Sequence, residues 1–234
     1  AGGGGGTSTY TYTGKSGAAI AGSESLGNAI QSNIVDAIRA LYDSSWTDRG
    51  NRQAAFAEVS PYHNPETPSA LIEMAFHDDA TDVEYLKDPE FRADASRAIY
   101  RGIVDYFSDR DGAVPVYLPE PPEDVALIHG SNGRLEVRFS EGPTGFPFGD
   151  APSEYVLFTS ADGRSWDNGT SIAGSGAEVT APPGETIVVR VAARDSGGIS
   201  FPAEVVGARQ SPDGAASVLV VAAFDRLETC LLPW

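Results

Sequence analysis

Glu73 is the side chain of this sequence best placed for acid–base chemistry. It lies in the apolar run of residues 70–76, shortly after the breaker Pro68. An ionised carboxylate among apolar neighbours costs free energy unless it is paired or used, and a carboxylate so placed can take a proton from water during hydrolysis. It can equally form an ion pair with Arg49 or Arg52, or cap a helix. The residue types alone leave both roles open.

The three histidines of the sequence do not form a metal site by their spacing. His77 follows Glu73 closely and could contact a substrate or stabilise an oxyanion, but the two aspartates after it favour a loop histidine paired with a carboxylate. His63 lies between prolines in a segment that predicts an exposed turn, and His129 precedes a glycine, which also predicts a turn. A catalytic zinc takes three protein ligands and an open position, so the sequence predicts no metal ligands.

Three other patterns lack the spacing of a known site. The glycines at residues 2–6 are not followed by the Lys-Ser/Thr pair of a phosphate-binding loop, and we expect them to be a flexible connector. The acidic residues between 78 and 90 lack the spacing and central glycine of a calcium loop, which favours a solvated face. Cys230 is the single cysteine, which excludes an internal disulfide, and it has no neighbouring histidine to make it a nucleophile.

The composition excludes several classes of partner. The 234 residues carry 33 acidic and 16 basic side chains, a formal net charge of −17. A surface this acidic repels phosphate backbones and anionic lipid headgroups. No stretch approaches the roughly 18 consecutive apolar residues of a membrane-spanning helix. We therefore expect neither a nucleic-acid partner nor membrane insertion.

The first half of the chain has the periodicity of an α/β domain. Apolar residues recur every three or four positions across residues 26–41 and 89–107, which predicts two amphipathic helices. Asp88 is placed to cap the second helix, with Pro89 at its first turn. Residues 70–76 predict a strand buried on both faces, as in a parallel sheet covered by helices. The Thr/Tyr-rich residues 7–13 predict a further strand.

The second half has the pattern of an all-β domain. Four prolines between residues 115 and 122 predict a semi-extended connector. Beyond them, short apolar runs separated by Gly, Asp, Asn and Pro predict a sandwich of short strands. In one run Leu135, Val137 and Phe139 alternate with charged residues, as in a strand with one buried and one solvated face. The apolar residues 217–224 predict a last strand.

The first half resembles the zinc-dependent N-acetylmuramoyl-L-alanine amidases, which cut the bond between glycan and stem peptide in peptidoglycan. The family's segments occur in order: a Thr/Tyr strand, a helix, an Arg-Gly turn, a proline-led strand ending in a glutamate, and closing helices. Here they correspond to residues 9–12, 26–31, 48–52, 68–76 and 78–103. The resemblance covers residues 7–107, about half of the chain.

This resemblance implies that Glu73 is the base that activates water beside a zinc ion. It makes Arg49, in the Arg-Gly turn, a candidate substrate-binding residue. His77 is a second candidate because it lies close to Glu73, although the family more often has an aliphatic residue at this position. The family's zinc ligands are two histidines and a glutamate, whose motifs do not occur in this sequence, and we expect them upstream of Ala1. The implied substrate is peptidoglycan, and the implied location is the periplasm, the cell envelope or the outside of the cell.

The second half resembles a fibronectin type III module, on the evidence of Pro121-Pro122, the turn at residues 160–166 and the strand at 189–193. We expect such a module to act as a spacer or wall-binding accessory. The predicted fold is an α/β partial amidase domain with a mixed sheet and helices, followed by an all-β sandwich. The predicted organisation is an amidase portion (1–110), a Pro-rich linker (111–120), the sandwich (121–209) and the start of a truncated domain (210–234).

Two functions remain open on the sequence. The first is a fragment of a peptidoglycan amidase in which Glu73 is the general base, with the chain inactive on its own. The second is a non-catalytic protein that binds the cell wall or glycan through a degenerate amidase half, a reading motivated by the missing ligand motifs. The aromatic residues Phe146, Phe148 and Trp166 could stack on sugar rings, although such residues more often fill a sandwich core.

Overall fold

The computed structural model describes residues 4–129, 134–209 and 218–220. The chain divides into two compact units, the first ending at Pro115 and the second beginning at Val116. Cys230, the glycines before Gly4 and most of residues 210–234 lie outside the described residues. Within the described ranges, no helix combines the length and apolar character needed to span a membrane.

The first unit is a mixed sheet with helices, as predicted. Its elements are β1 (Thr7–Gly14), β2 (Gly17–Ala18), α1 (Ser23–Leu41), β3 (Asp48–Ala54), β4 (Leu71–Glu73), α2 (Ala80–Lys87) and α3 (Pro89–Asp111). Strand β1 is central: it pairs in parallel with β3 and antiparallel with both β2 and β4. The segment that resembles an Arg-Gly turn therefore forms most of strand β3.

The strand predicted at residues 70–76 is shorter and differently paired than expected. Only Leu71–Glu73 is extended, it runs antiparallel to β1, and its residues are half-buried rather than covered on both faces. Beyond Glu73 the chain bonds elsewhere, because the backbone oxygen of Met74 accepts from the Thr7 hydroxyl and the Phe76 N–H donates to Asp82. These contacts end the ladder after three residues.

Helices α1 and α3 build the core of the first unit. Ile34, Ile38 and Phe91 are almost completely buried in it, together with Trp46. Helix α3 begins as predicted, with Pro89 in its first turn and the Asp88 carboxylate accepting from the Glu90 N–H. The helix is capped after Asp111 by Gly112, whose φ of 65° is the left-handed conformation that favours glycine.

The second unit is an antiparallel sandwich, which confirms the predicted all-β fold class. Its strands are β5 (Glu123–His129), β6 (Leu135–Ser140), β7 (Glu154–Ser160), β8 (Thr170–Ile172), β9 (Gly176–Val179), β10 (Thr186–Arg194), β11 (Val206–Arg209) and β12 (Val218–Val220). One sheet has the order β5-β6-β9 and the other β12-β11-β10-β7-β8. Val137, Val189 and Val191, from facing sheets, are completely buried in a shared core.

Individual predictions for this unit have mixed outcomes. Leu135, Val137 and Phe139 are buried as predicted, and the charged residues between them form an ion pair on the opposite face. The turn predicted at His129 is wrong, because this residue ends strand β5 and pairs with Leu135. Of the strand predicted at residues 217–224, the described part is β12, which pairs with β11.

Gly102 sets the distance between helices α1 and α3, and replacing it with alanine should destabilise the first unit. A Cβ at position 102 would lie 2.6 Å from Cα of Ile30 and 2.9 Å from the backbone oxygen of Ala29. Since backbone atoms cannot rotate away, we expect Gly102→Ala to lower the free energy of unfolding by about 2 kcal/mol, despite alanine's better helix propensity.

Urea unfolding followed by far-ultraviolet circular dichroism measures this change, because the described helices all lie in the first unit. Ser96→Ala, at an exposed position of the same helix, is the matched control and should change stability by less than about 0.5 kcal/mol. A Gly102→Ala variant as stable as the parent would show that the helices do not depend on this close approach.

Tyr155 should make the second unit less stable at high pH. Burial, followed by the hydrogen bond and charge of Glu141, raises the pKa of Tyr155 to about 12. The folded-state pKa lies above the value of about 10 in the unfolded chain, so this stabilisation is complete below pH 10 and is lost as the pH rises towards 12. Urea unfolding can be measured at pH 9 to 11 with the fluorotryptophan NMR signal of Trp166 as the probe of the second unit. The free energy of unfolding should fall as the pH rises, and it should fall less in Tyr155→Phe. An equal decline in both proteins would contradict the assignment.

Candidate functional site

Glu73 ends strand β4 directly opposite Ser8 of strand β1. Residues directly opposite each other in an antiparallel pair place their side chains on the same face of the sheet. The neighbouring Thr9 faces helix α1, since its hydroxyl donates to the backbone oxygen of Gly27 at 3.2 Å. Because side chains alternate along a strand, Ser8 and Glu73 lie together on the face turned away from α1.

The Glu73 carboxylate makes no hydrogen bond or ion pair with the described residues. Both arginines considered as its partners are engaged elsewhere. Arg49 donates to the backbone oxygen of Gly4 and lies 4.5 Å from the centre of the Phe76 ring. The Nε of Arg52 donates to the backbone oxygen of Arg49 at 2.8 Å. The Glu73 side chain is half-buried at the end of its strand. Because both arginines bond elsewhere, its oxygens are available for chemistry.

Ser8 is a site residue that the sequence analysis missed. Its side chain has no exposed surface, and within the described part of the chain its hydroxyl oxygen has no hydrogen-bond partner. A buried hydroxyl without a partner is uncommon and calls for an explanation. Because this oxygen is closed to water as well, Ser8 lies beside Glu73 on the same face of the sheet without contacting solvent. One serine in a Thr/Tyr-rich strand gives no such signal in the sequence.

A buried carboxylate, Asp82, fixes the ends of both strands. The side chain is 2% exposed, and its Oδ2 accepts from the Gly6 N–H at 3.0 Å and from the Phe76 N–H at 2.8 Å. Gly6 immediately precedes β1, and Phe76 lies three residues beyond Glu73. The two hydrogen bonds thus join the beginning of one strand to the chain leaving the other.

This arrangement corrects two sequence-based expectations. The acidic run is not wholly a solvated face, because Asp82 is buried while its neighbour Asp78 is exposed. The described glycines before β1 are not a free connector, since a Cβ at Gly5 would lie 2.0 Å from the Asp82 Oδ1. One feature of the sequence indicates the burial of Asp82. This residue lies three positions before Tyr85, which packs on the core, so the two side chains share one face of α2.

The predicted site residues are only partly brought together. Arg49 reaches the segment after Glu73 through its contact with Phe76 but does not reach the carboxylate. His77 is exposed just beyond that segment, and the described residues give it no carboxylate partner. His63 lies in an exposed turn, as expected, with its ring 5.0 Å from that of Tyr62.

The residues present do not fit a zinc site by themselves. Among residues 4–129, 134–209 and 218–220, no three His, Cys, Asp or Glu side chains are grouped so that they could hold a metal ion. A catalytic zinc needs three such protein ligands. Glu73 alone is available at the strand end.

Comparison with known proteins finds one protein family that matches the first unit. Residues 1–105 match the family model of N-acetylmuramoyl-L-alanine amidases. The match covers less than half of the chain. No curated protein matches the sequence.

Solved structures similar to the chain include two amidases. The amidase AmiC2 of Nostoc punctiforme is 23% identical over 44% of this chain and 49% of its own, with a TM-score of 0.35. The CwlD amidase from Clostridioides difficile, in complex with the GerS lipoprotein, is 24% identical over 45% of this chain and 47% of its own, with a TM-score of 0.35. The FN1–FN3 domains of chicken CNTN1 are 18% identical over 40% of this chain and 35% of their own, with a TM-score of 0.34. The chain thus spans less than half the length of each of the three.

Removing the Asp82 carboxylate should destabilise the first unit strongly. Asp82→Ala leaves the N–H groups of Gly6 and Phe76 without their acceptor, at about 1–3 kcal/mol for each buried donor. We expect the free energy of unfolding to fall by about 3 kcal/mol, measured by urea unfolding with far-ultraviolet circular dichroism.

Asp78→Ala is the matched control, because Asp78 is an exposed acid just before helix α2, four residues from Asp82. It should change the free energy of unfolding by less than about 0.5 kcal/mol. Equal effects of the two substitutions would mean that the buried carboxylate does not hold the strand ends.

Proposed function

We propose that the first unit is part of a peptidoglycan amidase in which Glu73 is the general base. The reaction is hydrolysis of the amide bond between N-acetylmuramic acid and the L-alanine of the stem peptide. The observation that carries the proposal is the unpartnered Glu73 carboxylate at the end of β4, in a segment that matches the amidase family model. The likeness to a family of wall hydrolases also supports a location in the periplasm, in the cell envelope or outside the cell.

In this mechanism Glu73 first accepts a proton and then donates it. Its carboxylate takes a proton from the attacking water, whose oxygen then bonds to the amide carbon. The same proton is delivered to the amide nitrogen, the carbon–nitrogen bond breaks, and the amine of L-alanine leaves. Positioned acid–base catalysis of this kind typically contributes 10²–10⁴-fold to the rate.

The residues around Glu73 support this role in different ways. Ser8 lies directly opposite Glu73 on the same face of the sheet and gives the base a buried neighbour. The hydrogen bond from Phe76 to Asp82 holds the chain directly beyond the base. We propose that His77, exposed beyond this segment, contacts the substrate, and that Arg49 lines the same side through its contact with Phe76.

The proposed cofactor is zinc, with ligands supplied by residues outside this chain. When bound, zinc would act as a Lewis acid that polarises the amide carbonyl. Since the described residues do not form a three-ligand group, we propose that the chain on its own is inactive.

The alternative is a non-catalytic protein that binds the cell wall or glycan through a degenerate amidase half. The observation that favours it is the lack of a metal-binding group among the described residues. The two functions differ in one outcome, because the alternative predicts retention on insoluble peptidoglycan without release of stem peptides.

Glu73→Gln should abolish hydrolysis in a chain extended at its N-terminus to include the zinc-binding segment. Glutamine keeps the size of the side chain but cannot accept the water proton, so release of stem peptides from purified peptidoglycan should fall at least 100-fold. The control is Glu66→Gln, an exposed glutamate with no contact to the site, which should leave the rate unchanged.

Near-normal release by Glu73→Gln would overturn the role of Glu73 as base. An extended parent protein that binds peptidoglycan but releases no stem peptide would favour the non-catalytic alternative instead. The two failures are distinguishable because the first requires an active parent and the second an inactive one.

A further inference from the structure

The second unit contains a shallow cavity of about 440 Å³, open to solvent, that the amidase function does not use. Its walls come from both sheets: the end of β7 with the chain after it, the chain after β9 and the start of β10. The residues that define its chemistry are Thr159, Ser165, Trp166, Thr180, Pro182 and Thr186. Ligand-binding cavities typically measure 300–1,000 Å³, so this volume suits a small molecule or the end of a polymer.

The indole of Trp166 is held in place from one side. The Arg190 guanidinium lies 4.2 Å from the centre of the Trp166 ring and 5.0 Å from that of Phe158, so the cation contacts both aromatic rings. Such contacts stabilise the arrangement electrostatically. Trp166 is half-exposed and is not part of the buried sandwich core. The ring is therefore a fixed aromatic surface in the cavity wall rather than core filling.

Three hydroxyl groups of the cavity wall are available to a ligand. Those of Ser165, Thr180 and Thr186 make no hydrogen bond to the residues that the structure describes. The Thr159 hydroxyl is different, because it donates to Asp167 at 2.8 Å. The cavity thus combines an aromatic ring with several free groups that can each donate and accept.

The charges at the cavity do not suit an ionic ligand. Burial alone would raise the pKa of Asp167, but the hydrogen bonds from Thr159 and Gly169 and the charge of Arg190 outweigh it, so the pKa lies below its usual value. Asp167 is therefore ionised at neutral pH, with its oxygens occupied by those donors. Its charge compensates that of Arg190, and the net charge of −17 disfavours anions in general.

We propose that this cavity binds a neutral saccharide, with one or two sugar rings packed against Trp166 and hydrogen-bonded to Thr180, Thr186 and Ser165. A sugar presents both the apolar C–H surface that an indole contacts and hydroxyls that can hydrogen-bond the free serine and threonine groups. This site is independent of Glu73 and goes beyond the amidase function. It makes the second unit a glycan-binding module rather than a spacer.

The test is titration of the full chain with N,N′-diacetylchitobiose, a neutral amino-sugar disaccharide, followed by NMR of fluorotryptophan at position 166. We expect a saturable shift of the Trp166 signal with a Kd of about 1–10 mM, in the range of weak single-site binding. Trp166→Ala should abolish binding measured by calorimetry.

The double variant Thr180→Val and Thr186→Val removes two hydroxyls while keeping the shape of the side chains, so it tests the site even if Trp166→Ala fails to fold. It should weaken binding at least fivefold. Thr170→Val, an exposed threonine of β8 outside the cavity, is the matched control and should leave the affinity unchanged. The proposal is overturned if the Trp166 signal does not move up to about 50 mM disaccharide, or if the double variant binds as tightly as the parent.

Discussion

The geometry around Glu73 depends on one interaction, the sharing of the Asp82 carboxylate between two backbone N–H groups. A buried carboxylate is stable only when its oxygens accept hydrogen bonds, and those of Gly6 and Phe76 satisfy this requirement. The bonds link segments 70 residues apart in the sequence. They bring the beginning of β1 and the end of β4 into register, and that register places Ser8 opposite Glu73. Gly5 is required in the same place because no side chain fits beside the carboxylate.

The same interaction explains why the Glu73 carboxylate has no arginine partner among the described residues. Because the chain turns away from the sheet beyond β4, Phe76 lies beneath the Arg49 guanidinium, and Arg49 bonds to the backbone of Gly4. The arginine that could have neutralised Glu73 is thereby used to hold the glycine segment. A carboxylate without an internal partner at a half-buried strand end is what a general base needs.

The elements predicted well from the sequence are those governed by local rules. Helices α1 and α3 follow from apolar periodicity and from the Asp88 cap, and the alternation in β6 gives its buried face directly. The length of β4 and the position of Asp82 could not be predicted in this way. Both depend on hydrogen bonds between distant segments, and the acidic residues around Asp82 hide one buried carboxylate among exposed ones. Arg49 and Arg52 were reasonable partners for Glu73 by charge alone, and only the tertiary arrangement shows that both are engaged elsewhere.

The proposed function requires that the Glu73 carboxylate is reserved for the reaction and not for an internal ion pair. A crystal structure of the N-terminally extended chain, grown with zinc, tests this most directly. We expect that residues of the extension bind the zinc ion, that the Glu73 side chain faces it across a gap wide enough for one water molecule, and that Arg49 still contacts Phe76. An ion pair between Glu73 and Arg49 or Arg52, or a zinc ion beyond the reach of Glu73, would contradict it.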